Sequence, residues 1–198
     1  RWRALRYAAK RFFAPVRLSC AEEGVLTQDP NVNAEPYEVK KSIRLNVSNE
    51  TVDAVCGKIR WALRAPDASI TESGEAEFCV PALSAQWFEE VTFPKAPLRA
   101  SYVSYDLEMD GAWISGGTAL FCPPKHFEFL DPRLALSVSG DEITVTAHAY
   151  CKGLEIVCED GDSLFSDNFF DLNAGSRTVK ILRGSGAKFS VRSVYDIR

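Results

Sequence analysis

Between Val16 and Cys122 the chain breaks into about seven short segments in which apolar and polar residues alternate, and this period of two limits the fold more than any other feature. The segments run 16–22, 41–48, 57–65, 73–80, 86–93, 99–109 and 113–122. Alternation turns one side of an extended segment toward a core and the other toward water. Turn chemistry separates several of them: Asn49-Glu50, Pro66-Asp67, the stretch from Pro94 to Pro97, and Asp110-Gly111. The last is the best hairpin signal, because a two-residue primed turn needs positive φ, which glycine adopts without steric cost. Seven strands in roughly a hundred residues predict an antiparallel two-sheet sandwich. Trp61, in the third strand, is expected in its core.

Cys122-Pro123-Pro124-Lys125-His126 marks a boundary, since two successive prolines supply no ladder donors and favour a stiff, extended connection. We therefore place one sandwich at 16–122, a linker at 123–126 and a smaller β-sandwich at 127–198. In the latter, Ile143, Val145 and Ala147 alternate with Thr144, Thr146 and His148, and Phe189 and Val191 with Lys188, Ser190 and Arg192. Gly184-Ser185-Gly186 is expected to turn the last hairpin. A unit of about 70 residues is marginal alone by surface-to-volume scaling, so docking to a larger body is expected.

The opening fifteen residues differ in kind. At helical spacing Trp2, Leu5, Ala9, Phe12 and Phe13 fall on one narrow stripe, with Arg3, Arg6, Lys10 and Arg11 outside it, and Pro15 ends the pattern. Such a stripe requires a partner. The chain begins at Arg1 without an initiator Met, so it reads as a piece of a longer protein whose missing part carries the rest of the function.

The net charge of −4 conceals a basic start: six of the 23 basic residues precede Leu18, no acid precedes Glu22, and the remainder carries −10. An acidic body argues against nucleic-acid binding, which needs a basic face. No apolar run is long enough to cross a bilayer, and Lys10, Arg11 and Arg17 bracket Phe12 to Val16 too tightly for a signal peptide. The six cysteines show neither a C-x-x-C pair nor a framework spacing, which argues against zinc and reads as mostly buried free thiols, favouring a reducing, cytoplasmic setting.

Catalytic signatures are lacking. His126 and His148, the two histidines, lie in no nucleophile or metal motif, and no phosphate loop or dinucleotide fingerprint is present, so no cofactor is implied. Asp160, Asp162 and Asp167 offer oxygen atoms that could take calcium, but their spacing departs from the EF-hand loop and acidic residues also build tight turns. Asn46-Val47-Ser48 and Asn49-Glu50-Thr51 match the glycosylation sequon, which is short enough to arise by chance. Trp87 and Trp113 are the candidates for stacking on a sugar, alongside Phe127 and Phe129, whose burial the pattern does not settle. Trp87 stands beside Phe88, so one of the two faces outward.

Three stretches together resemble β-mannosidases of glycoside hydrolase family 2. Arg1-Trp2-Arg3-Ala4-Leu5-Arg6-Tyr7-Ala8-Ala9-Lys10-Arg11-Phe12-Phe13-Ala14-Pro15-Val16 is similar to that family's "GRWKALHYxxKRFFAPV" exit from the catalytic (β/α)₈ barrel, Cys122-Pro123-Pro124-Lys125-His126 to the junction of its last two β domains, and Ser166-Asp167-Asn168-Phe169-Phe170-Asp171-Leu172 to its "SDNFFDLxPGE" segment. The chain departs from that pattern at Asn173-Ala174-Gly175. The resemblance implies a mainly β chain of two immunoglobulin-like sandwiches preceded by the last barrel helix. It further implies a parent enzyme that removes β-linked mannose with retention, using two glutamates about 5 Å apart on barrel strands upstream of Arg1. No catalytic residue would then lie in this chain; Glu72, Glu75, Glu77, Glu89 and Glu90 belong to solvated strand faces. The implied partners are that barrel and its carbohydrate substrate. Readings from other classes are a carbohydrate-binding module and an adhesive or self-associating module using the helix stripe.

Overall fold

A computed structural model describes residues 4–28 and 38–197, and in it the chain forms two units. The first is Phe13–Ala65 with Ser69–Glu128; the second takes the helix up to Phe12, Pro66–Ala68 and the chain from Phe129 onward. The helix is α1 (Ala4–Phe12). It ends where expected, since Pro15 cannot continue a helical ladder.

The first unit begins with β1 (Val16–Glu23), the single-turn α2 (Val25–Gln28), β2 (Ser42–Asn49) and β3 (Val55–Arg64). It continues through β4 (Ile70–Val80), β5 (Ser84–Trp87), β6 (Val91–Thr92), β7 (Tyr102–Met109) and β8 (Ala112–Leu120). One antiparallel sheet has the order β1-β2-β5 with β6 also on β2, and the other β4-β3-β7-β8. The inward positions of the alternating pattern meet as the core: Ile43, Leu45 and Val47 from one sheet and Ile59, Val103 and Leu107 from the other. Full burial of each such side chain contributes about 1.5–3 kcal/mol before the entropy of ordering it. Trp61 packs on this core, edge-on to Phe93 at 5.5 Å, and directly across the ladder Gly74 leaves room for the indole, which a Cβ there would meet at 2.7 Å. Asp110 and Gly111 have φ of 50° and 75°, the left-handed pair that a primed hairpin turn requires.

Three expectations need correction. The segment 86–93 is not one strand. Trp87 faces Asn46 while Thr92 faces Ser42, so five steps run against four on β2, and the extra residue splits the strand into β5 and β6. Most of the cysteines, Cys20, Cys122, Cys151 and Cys158, are free as expected, but Cys56 and Cys79 lie opposite each other on β3 and β4 and form a disulfide. Framework spacing could not reveal a pair brought together by register, and the thiol argument for a reducing compartment has two members fewer.

The third correction lies in the second unit. Its strands are β9 (Ala135–Ser139), β10 (Glu142–Ala147), β11 (Cys151–Cys158), β12 (Ser163–Phe165), β13 (Phe170–Leu172), β14 (Gly175–Gly184) and β15 (Phe189–Arg192), followed by the single-turn α3 (Val194–Ile197). They form sheets β12-β14-β10-β9 and β13-β11-β15. Gly184-Ser185-Gly186 therefore turns no hairpin, because β14 and β15 belong to different sheets; it carries the chain from one to the other. Ile143, Val145, Leu154, Ile156, Phe165, Phe170 and Val179 fill the space between. Thr144 and Thr146 point outward as expected, each sharing a 2.8 Å hydroxyl contact across the strand with Thr178 and Ser176. At the proline boundary, Pro124–His126 forms one 3₁₀ turn, and the units divide after Glu128, with Phe127 buried edge-on to Tyr102 in the first.

Leu107, fully buried, tests the first core: Leu107→Ala is expected to cost about 2–5 kcal/mol in urea unfolding, whereas Leu83→Ala, at a position 74% exposed, is expected to stay within about 0.5 kcal/mol.

Candidate functional site

The helix is seated by one short segment of the second unit, Ser166 to Phe169. Arg11 donates to Asp167 Oδ1 at 2.6 Å and to the backbone oxygens of Asn168 and Phe169 at 3.2 and 2.9 Å. Lys10 Nζ reaches the Ser166 oxygen at 3.0 Å. From β14, Arg177 donates to the other oxygen of Asp167 at 2.7 Å and lies over the Phe170 ring at 4.2 Å. Burial pulls the Arg177 pKa below its ordinary value, with the Asp167 carboxylate opposing that effect. Tyr7, 1% exposed, accepts a long hydrogen bond from Phe165 N through its hydroxyl and packs 6.0 Å from Phe169.

Local chemistry explains why the segment takes this shape. The buried Asn168 amide imitates a neighbouring strand: its Oδ1 accepts from Ile156 N at 2.8 Å and its Nδ2 donates to Ile156 O at 2.9 Å. Phe169 then turns with φ of 55°, and Asp171 receives Gly153 N at 2.8 Å and Lys152 Nζ at 3.0 Å. A gap between β12 and β13 is thereby held by side chains instead of a ladder.

Because Tyr7, Lys10 and Arg11 face this seat, the apolar stripe lies on the opposite side of α1. Leu5, Phe12 and Phe13 are 72%, 47% and 75% exposed, and Ala9 is half-buried. Trp2 lies outside the described residues.

A second feature occupies the first unit. Trp87 is exposed and Phe88 is the inward member of the pair, packed against the core. The Arg44 guanidinium stands 5.2 Å from the Trp87 ring and donates through Nε to Phe88 O at 3.2 Å. Arg44 also lines a groove of about 340 Å³ with Ala21, Glu22, Glu23, Ser42, Glu89 and Glu90. Lys40 bridges Glu23 at 3.2 Å and Glu90 at 2.6 Å, and the Lys40 and Ser42 hydrogen bonds hold the Glu90 carboxyl below the usual range.

The remaining candidates sit apart. Trp113 is exposed on β8; Phe127 and Phe129 are buried, so neither offers a face to a sugar. Asp160 accepts from Ala187 N and Lys188 N at 3.1 Å, and Asp167 is engaged by two arginines, so their oxygens serve the fold; Asp162 lies between them in the chain, just before β12. Among the described residues no cluster of metal-ligating side chains occurs. Glu75 belongs to an exposed ion-pair ladder with Lys58 and Arg60, the latter also meeting Glu108 at 2.6 Å. Asn46 and Asn49 of the sequons are buried, and Asn49 Nδ2 donates to the oxygens of Asp53, Val80 and Pro81. Burial pushes the Cys20 and Cys151 thiols up to about 12, which keeps them protonated and unreactive at neutral pH. Sequence reading missed Arg11 and Asn168 as structural side chains and Arg44 as a groove residue; Arg11 and Asp167 are 156 positions apart, and no local pattern joins them.

Family models match two stretches of the chain: a mannosidase Ig/CBM-like domain at residues 41–126 and an Ig-fold domain at residues 129–197. No curated protein sequence matches. Among solved structures the chain is similar to a β-D-mannosidase from Dictyoglomus thermophilum, with TM-score 0.70 and 14% identity over 94% of this chain and 22% of that one. It is also similar to the exo-chitosanase CsxA of Amycolatopsis orientalis, with TM-score 0.50 and 16% identity over 94% of this chain and 26% of that one. At these identities the likeness is one of fold, and the chain spans only about a quarter of each neighbour's length.

Two outcomes are expected of this geometry. Asp167→Ala leaves two partly buried guanidinium groups without their carboxylate; it should cost about 2–3 kcal/mol and speed amide exchange throughout α1. The backbone N–H groups of Lys188 and Ala187 hold the Asp160 carboxyl below its usual value. A depressed carboxylate stabilises the folded state above its unfolded pKa, about 3.9, and loses that contribution as pH falls through the lower folded value. Exchange at Ala187 and Lys188, corrected for intrinsic rates, should therefore accelerate as pH drops below about 4, and Asp160→Asn should abolish that dependence.

Proposed function

The chain belongs to the immunoglobulin-like domains of the mannosidase type, and on that premise we propose that it is the C-terminal accessory region of a retaining β-mannosidase of glycoside hydrolase family 2. The observation that carries this reading is the division of labour on α1. Its cationic side and Tyr7 are fixed to the second sandwich, while Leu5 and Phe12 stand exposed on the other side. A helix that served this sandwich alone would turn its apolar stripe inward, because burying that stripe is its main source of stability. The stripe is instead presented to a further body, which we take to be the catalytic barrel of the same polypeptide. There two glutamates about 5 Å apart would cleave β-linked mannose at non-reducing ends. In that arrangement the two sandwiches brace the barrel and carry no part of the bond cleavage.

A second reading, carbohydrate binding by the first sandwich, is favoured by Trp87 and Arg44 beside the acidic groove.

Incubation of this 198-residue chain with p-nitrophenyl β-mannoside is expected to release no nitrophenol above the uncatalysed rate, and measurable turnover would overturn the accessory role. The exposed stripe should also drive self-association in sedimentation velocity. Leu5→Glu with Phe12→Glu is expected to return the chain to a monomer; a wild type that is monomeric at high concentration would count against a docking face.

A further inference from the structure

We propose that the outer face of sheet β1-β2-β5 is a glycan-binding site for a non-anionic hexopyranoside, with Trp87 as its platform and Arg44 and Glu90 as its polar anchors. This deepens the carbohydrate reading of the first sandwich and is independent of how the helix docks. The extra residue between β5 and β6 is what builds the site. It turns Phe88 into the core and leaves Trp87 on the outer face, 52% exposed, where about half of a large indole stays open to solvent. Arg44 projects from the same side of β2, and its bond to Phe88 O fixes the guanidinium over one face of the indole, which leaves the other face and the ring edge for a ligand. Its terminal nitrogens make no hydrogen bond among the described residues, so they keep their donors for a ligand.

The chemistry of this face, with Trp87 next to the groove that Arg44 and Glu90 line, matches a sugar ring. A pyranose has an apolar C–H face, which an exposed indole covers, and a rim of hydroxyls that both donate and accept. Arg44 supplies donors, and the ionised Glu90, oriented by Lys40 and Ser42, supplies acceptors. Next to Trp87 in register, Asn46 is 5% exposed and lies outside the groove lining, its buried Nδ2 without a hydrogen-bond partner. The groove of about 340 Å³ falls at the small end of ligand-sized sites. Its sign of charge selects further: Glu22, Glu23, Glu89 and Glu90 outnumber Lys40 and Arg44, which repels uronic or sulfated sugars and admits neutral or amino sugars.

The test titrates the whole chain with mannotriose, with the β-1,4 trimer of glucosamine and with a glucuronic-acid oligomer, following tryptophan fluorescence and amide shifts. Saturable binding at millimolar or tighter affinity is expected for one or both of the first two, and their ranking identifies neutral or amino sugar as the source. Trp87→Ala and Arg44→Ala should each weaken binding about tenfold or more, while Trp113→Phe, folded alike by circular dichroism, should not. Absence of saturable binding, equal affinity in Trp87→Ala, or equal binding of the glucuronate oligomer would overturn the proposal. None of these results bears on the nitrophenyl assay or the sedimentation of the helix variants, so the two readings fail separately.

Discussion

Asp167 shares its carboxylate between two guanidinium groups that come from opposite ends of the sequence, Arg11 on α1 and Arg177 on β14. Each arginine would be costly to cover alone, because partial burial removes water without supplying a counter-charge. Together with the acid they form a knot of net charge +1, whose spare Arg11 donors go to the backbone oxygens of Asn168 and Phe169. The rest of the second unit's irregular side depends on it: Asn168 replaces a missing strand against Ile156, and Tyr7 closes over Phe169. The helix is thus an electrostatic component of its sandwich first, and an apolar surface second.

Much of the fold could be read from the chain because its strands obey one rule. Inward residues such as Ile43, Leu45 and Val47, or Ile143 and Val145, recur at the interval a half-buried strand dictates, and Asp110-Gly111 carries its turn type in its own stereochemistry. What escaped was everything fixed by register or by distant partners. A single inserted residue opposite β2 broke a predicted strand, a disulfide arose from two cysteines that merely face each other, and a glycine turn linked sheets instead of neighbours.

The candidate sites show the same division. Trp87 stood out because a large aromatic beside Phe88 must leave one of the pair outward. The side chains that give it chemical meaning, Arg44 and Glu90, are 43 and 3 positions away on either side and read as ordinary surface charges until the sheet places them together. Asp167 was noticed for its oxygen atoms, yet its role is to bind cations that belong to the protein. The acidic look of a loop carries no information about whether its partners are metal ions or arginines; only the fold decides.

The order of the chain gives this architecture a further property. The helix is synthesised before the first sandwich, but its seat is synthesised after it, so an entire domain is threaded between two halves of one unit. No single cut releases the second sandwich intact with its helix: severing the proline junction leaves Arg11 on one product and Asp167 on the other. During synthesis, the same nesting obliges the nascent helix to wait until more than a hundred residues have followed before its counter-charge exists. Closing so long a loop is slow relative to local pairing, which makes the first sandwich free to fold ahead of the contact that finally fastens the helix to its seat.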